Sequence, residues 1–130
     1  MNARGWLLLL CVDLCMWAPV KVAREVGASL GSLGMRGSAA VAELAAHAAV
    51  AALSVAAAWA LLIGNPRAPA FAAVAIAASG AATVQSLYWS VLPADTMPGH
   101  RLPLALVAIA HAAGWMIYLR RSRQVRALYD

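Results

Sequence analysis

Charge is what this chain has least of. Only 12% of its 130 residues are Asp, Glu, Lys or Arg, while 64% are hydrophobic. A soluble domain carries about 25% charged residues, and a soluble core of this length could not hide so much apolar surface. Acids are scarcest, five against ten Lys and Arg. Cysteine is limited to Cys11 and Cys15, one turn apart in an apolar run. That spacing on one helix does not suit a disulfide; two thiolates could hold a soft metal, and small buried side chains are the plainer reading. No nucleophile triad, phosphate loop, zinc-protease helix or soluble zinc spacing occurs, so the sequence names no reaction and leans away from an enzyme.

What it has instead is apolar length. Mean hydropathy is +0.76, and four apolar segments stand out, at about 5–22, 38–63, 69–92 and 103–120. A membrane span needs about 20 residues, so the segments predict an all-α polytopic membrane protein. Its fold would be one antiparallel four-transmembrane-helix bundle over residues 1–130. The first segment imitates a signal peptide. Asp13 interrupts it and no small-x-small cleavage site follows, so it reads as a first span ending around Pro19, with Lys21 and Arg24 able to snorkel. Gly64-Asn65-Pro66 stops the second segment, and the few residues that follow force a hairpin. Pro103 suits a first helical turn. Between Arg24 and Gly37, glycines at near-helical spacing fit a short surface helix, with Leu30, Leu33 and Met35 toward lipid, as well as they fit a floppy loop.

Net charge is +5, which in a soluble protein would suggest nucleic acid. Here Arg120, Arg121, Arg123 and Arg126 directly follow the last span. Residues 120–130 therefore read as a cytoplasmic anchor against acidic headgroups, with no nucleic-acid partner. The positive-inside bias then places both termini in the cytoplasm, and tryptophans and tyrosines gather near both ends of the spans as interfacial belts. Alanine supplies 33 of 130 residues, and small residues let membrane helices approach closely. Ser79, Thr83, Ser86 and Ser90 share one helix face, read as a packing seam.

Polar residues interrupt each span: Asp13, Glu43 with His47, Gln85 and His111. With the segment ends above, Asp13, His47, Gln85 and His111 fall roughly 10–14 Å below the outer boundary at ~1.5 Å per residue, which predicts one polar layer. Glu43, four residues before His47, faces the same way and could orient its imidazole. Three roles compete for the layer. It could be hydrogen-bonded glue between helices. His47 and His111 could bind haem b or, with the acids, a transition metal. Asp13, Glu43 and the histidines could relay protons for a small proton-coupled transporter.

The C-terminal run Trp115-x-x-Tyr118, Ser122, Val125-Arg126 and Tyr129 resembles the closing signature of the YdgK-like family of small four-helix bacterial inner-membrane proteins. The opening Gly5-Trp6-Leu7-Leu8-Leu9 and the later Pro19 are similar to that family's start. The resemblance implies a four-helix protein of a bacterial inner membrane with no established reaction. Asp13, His47 and His111 lie outside the signature. Together these readings predict a non-catalytic accessory or scaffolding subunit, in contact with lipid and with other membrane subunits or copies of itself.

Overall fold

The computed structural model describes residues 3–29, 31, 37–89 and 98–129. They form α1 (Ala3–Ser29), α2 (Ser38–Leu62), α3 (Ala68–Tyr88), a 3-10 turn (Pro98–His100), α4 (Arg101–Arg121) and the short α5 (Arg123–Tyr129). Among the described residues, four helices are long and apolar enough to cross a membrane. The all-α four-helix bundle expected from the sequence is therefore present. Ser90 and the link residues Leu30, Leu33 and Met35 lie outside the described residues.

Helix α1 runs well past the expected stop. Pro19 sits inside it. A proline removes one N–H, costing the hydrogen bond to the carbonyl four residues earlier. In a membrane helix, neighbouring helices and local adjustments can make good such a loss. The chain therefore stays helical through Lys21, Arg24 and Glu25, which become residues of the bundle rather than of a loop.

The α2–α3 hairpin closes as its sequence predicts. Gly64, at φ 73°, donates to the Leu61 carbonyl at 3.3 Å, and Asn65 donates to Ala60 at 3.1 Å. These are the paired bonds of a Schellman cap, which needs a residue in the left-handed region. The Asn65 side chain then accepts from the Arg67 backbone N–H at 2.9 Å.

The helices pack in chain order, α1 on α2, α2 on α3, α3 on α4, while α1 and α4 scarcely meet. The bundle is thus a curved row with one open seam. Its tightest packing lies near the termini, where Leu10, Cys11 and Leu14 meet Ala57, Ala58 and Leu61 of α2 and Ala72, Ala75 and Ile76 of α3. Alanine at the contacts lets backbones close in, which supplies dispersion where lipid removes the hydrophobic drive. Helix α5 folds back beneath this core. Val125 and Tyr129 are buried in it, and the Tyr129 hydroxyl donates to the Leu61 carbonyl at 2.6 Å, a group at a helix end that lacks a full intrahelical ladder.

Candidate functional site: two polar clusters in the bundle

The interior polar residues form two clusters rather than one layer. The first joins α1, α2 and α3. His47, 6% exposed, places Nδ1 2.6 Å from Glu25 Oε2 and Nε2 2.9 Å from Gln85 Oε1. The Gln85 amide nitrogen donates to the Trp89 carbonyl at 3.4 Å, which orients its oxygen toward His47. Both ring nitrogens therefore face acceptors, an arrangement that a doubly protonated imidazolium completes. Lys21 Nζ donates to Thr83 Oγ1 at 3.1 Å and to Ser86 Oγ at 3.3 Å. The Ser86 hydroxyl lies 3.3 Å from Glu25 Oε1. One acid, one amine, one imidazole and three neutral polar groups so form a connected network.

The second cluster bridges the open seam. His111 Nε2 lies 3.0 Å from Asp13 Oδ1, with the side chains 35% and 23% exposed. The Trp115 indole N–H points at the same nitrogen from 3.2 Å. Trp17 stacks on the imidazole at 5.5 Å between ring centroids. An indole N–H only donates, and Nε2 carries at most one proton. His111 therefore either donates to Asp13 or accepts from Trp115, never both at once. The site has two alternative hydrogen-bonded states.

Small cavities lie beside the two clusters. One of about 20 Å³ is lined by Asp13, His111, Ser54, Ser79 and Thr83 among others, enough for one water. Another of about 10 Å³ adjoins Lys21, Glu25 and His47. Ala18 and Ser79 line both. Ser79, Thr83 and Ser86, expected as a packing seam, thus face polar groups and the cavities.

Two expectations change. First, the carboxylate bonded to Nδ1 of His47 comes from Glu25, not from Glu43 on its own helix. Glu43 is half-buried and within electrostatic reach of Lys21. Second, Asp13 and His47 belong to different levels. Once α1 continues past Pro19, Asp13 lies twelve residues before Glu25, roughly 18 Å along the helix at ~1.5 Å per residue. His47 and His111 accordingly have separate partners. Among the described residues, no three His, Cys, Asp or Glu side chains gather as a metal site. The cysteines part company too, Cys11 buried and Cys15 exposed.

The sequence marks Lys21 only as a snorkelling residue and does not single out Glu25, because Pro19 reads as a stop. Their four-residue spacing, acid after base on one face, was the signal available. In the tail, Arg120, Arg121, Arg123 and Arg126 are all exposed, and Arg126 Nη2 donates to the Arg120 carbonyl at 2.7 Å. Outside the spans, burial pushes the Tyr129 phenol above its ordinary pKa, with Cys11 and Tyr118 adding to the rise. No family model, curated protein or solved structure matches this chain.

Proposed function

We propose that this is a small accessory subunit of a bacterial inner membrane, related to the YdgK-like proteins, which packs against another membrane chain through the outward face of α2. The observation that carries this reading is the composition of that face. Ala42, Ala45, Ala46, Ala49, Ala52 and Ala56 are all exposed. Three small-xxx-small pairs among them (42 with 46, 45 with 49, 52 with 56) are the pattern that lets a second helix approach closely. The exposed arginines after α4 favour cytoplasmic termini. The test is extraction from native membranes in mild detergent with and without Ala45→Leu and Ala49→Leu. Loss of a co-purifying membrane chain, or of self-association, in the double variant is the expected result. A wild-type chain that elutes alone and monomeric sinks the reading.

One observation favours a second reading, proton movement. The two cavities share Ala18 and Ser79 and lie between Asp13 with His111 and Glu25 with His47. Waters there would link two titratable clusters, the usual layout of a membrane proton relay. Proton flux into proteoliposomes loaded with a pH dye, unchanged by both Asp13→Asn and Glu25→Gln, would eliminate it.

A further inference from the structure

The open seam between α1 and α4 is a cleft with its own chemistry. Its larger part holds about 590 Å³, inside the range of about 300–1,000 Å³ typical of ligand pockets. Its α1 wall carries Leu9, Val12, Met16 and Val20, all exposed. They recur every three or four residues and so form one stripe along the helix. From Leu9 to Arg24 that stripe rises roughly 22 Å at ~1.5 Å per residue, the reach of one extended acyl chain.

Charge is uneven along the cleft. Lys21 and Arg24 line one end, and Asp13 and His111 lie part-way down. Arg24 sits three residues before the span ends at Gly27, where headgroup phosphates lie and basic side chains attract them. Asp13 already holds His111 at 3.0 Å, so a cationic head seeking it would have to displace the imidazole. An anionic head is repelled by Asp13 and drawn to the basic end. The charges thus give a ligand both a sign and a direction.

We propose that the cleft seats one anionic glycerophospholipid of the surrounding bilayer, its phosphate at Arg24 and one acyl chain along Leu9, Val12, Met16 and Val20. The lipid comes from the leaflet that faces the C-terminal end of α1. It covers the Asp13–His111 bridge with hydrocarbon and keeps water from the seam. This site is separate from the α2 face and does not depend on the accessory reading.

Trp17 lines the cleft and reports on it. The full chain is reconstituted in phosphatidylcholine vesicles containing a minor fraction of phosphatidylglycerol, with acyl-chain bromines on one lipid or the other. The difference between wild type and Trp17→Phe isolates the Trp17 emission. Brominated phosphatidylglycerol should quench it about fivefold more effectively per molecule than brominated phosphatidylcholine, the preference one basic residue gives at an anionic lipid. Arg24→Gln should erase the preference and Arg24→Lys should keep it; circular dichroism confirms that both variants remain helical. Equal quenching by the two lipids, or a preference untouched by Arg24→Gln, overturns the proposal. So does release of quenching by tetraphenylphosphonium at concentrations that leave the Arg24→Gln variant equally affected, which would make the cleft a cation site at Asp13.

Discussion

The cluster of Glu25, His47 and Gln85 and the cluster of Asp13, His111 and Trp115 use similar residues to opposite effect. In the first, three helices converge and each ring nitrogen of His47 meets its own acceptor. In the second, two helices face each other across an open seam, and Asp13 and Trp115 compete for one nitrogen. Full satisfaction locks a polar network and specifies a unique packing, whereas competition leaves two arrangements close in energy. The closed cluster is the part built to stay; the seam cluster is the part built to change partners.

The sharpest way to break that contrast is at Glu25. Glu25→Ala leaves His47 without its carboxylate inside the bundle. Stranding a buried charge costs about 3–5 kcal/mol. Loss of that order is expected in reversible unfolding followed in mixed micelles. Glu25→Leu combined with His47→Leu should recover most of it, because replacing both members of a buried pair by apolar groups is often neutral. If the double variant is no better than the single, the cluster is not the closed unit described.

The α3–α4 contact comes next. A side chain on Gly80 would begin 3.2 Å from the Ala112 Cβ, already tighter than ordinary contact. Gly80→Leu should cost about 1–3 kcal/mol by overpacking and push α4 outward, widening the seam that α4 lines. The matching readout is faster labelling of a cysteine placed at Val12. A variant as stable as wild type, with unchanged labelling, would mean that α4 is not pinned at this crossing.

Tyr129 ranks third. Tyr129→Phe keeps the packing and loses only the hydroxyl bond to Leu61, worth about 1 kcal/mol. The pH dependence follows from its raised pKa. The folded state holds the phenolic proton more tightly than the unfolded state, so the docking of α5 is complete below the unfolded value, about 10. It weakens as pH rises from there through the higher folded value. Hydrogen exchange of α5 should speed up over that alkaline window in wild type and be already fast, and flatter with pH, in Tyr129→Phe.

How much of this was legible beforehand follows from which physics is local. Span count, the hairpin at Gly64 and the basic tail depend on hydropathy and backbone chemistry within a few residues. Asp13, His47, Gln85 and His111 stood out because polar groups in lipid are rare. Their pairing was not legible, because partners are set by where α1 ends, and the rule that proline stops a helix holds in water. A soluble helix would pay for Pro19 by kinking or stopping; a membrane helix has few alternatives, since an unwound backbone in hydrocarbon is worse. That one difference moved Lys21 and Glu25 into the bundle and divided one expected layer into two. The open seam was invisible for another reason: whether the first and last helices of a row touch is a property of the whole packing.

The smallest effect is expected at Asp13, and it tests the comparison most directly. Asp13→Asn removes the ion pair but keeps a polar side chain of the same shape. His111 Nε2 can then settle as the acceptor for Trp115, so one of the two alternatives survives intact. Hydrogen bonds between membrane helices average about 0.6 kcal/mol, and the loss should be no larger. The visible consequence is in the tryptophans: with no carboxylate competing for Nε2, the Trp115 emission of the variant should differ from that of wild type. A stability loss rivalling that of Glu25→Ala would make the seam pair a structural lock. An emission identical in both proteins would mean that Asp13 and Trp115 do not compete for His111 Nε2.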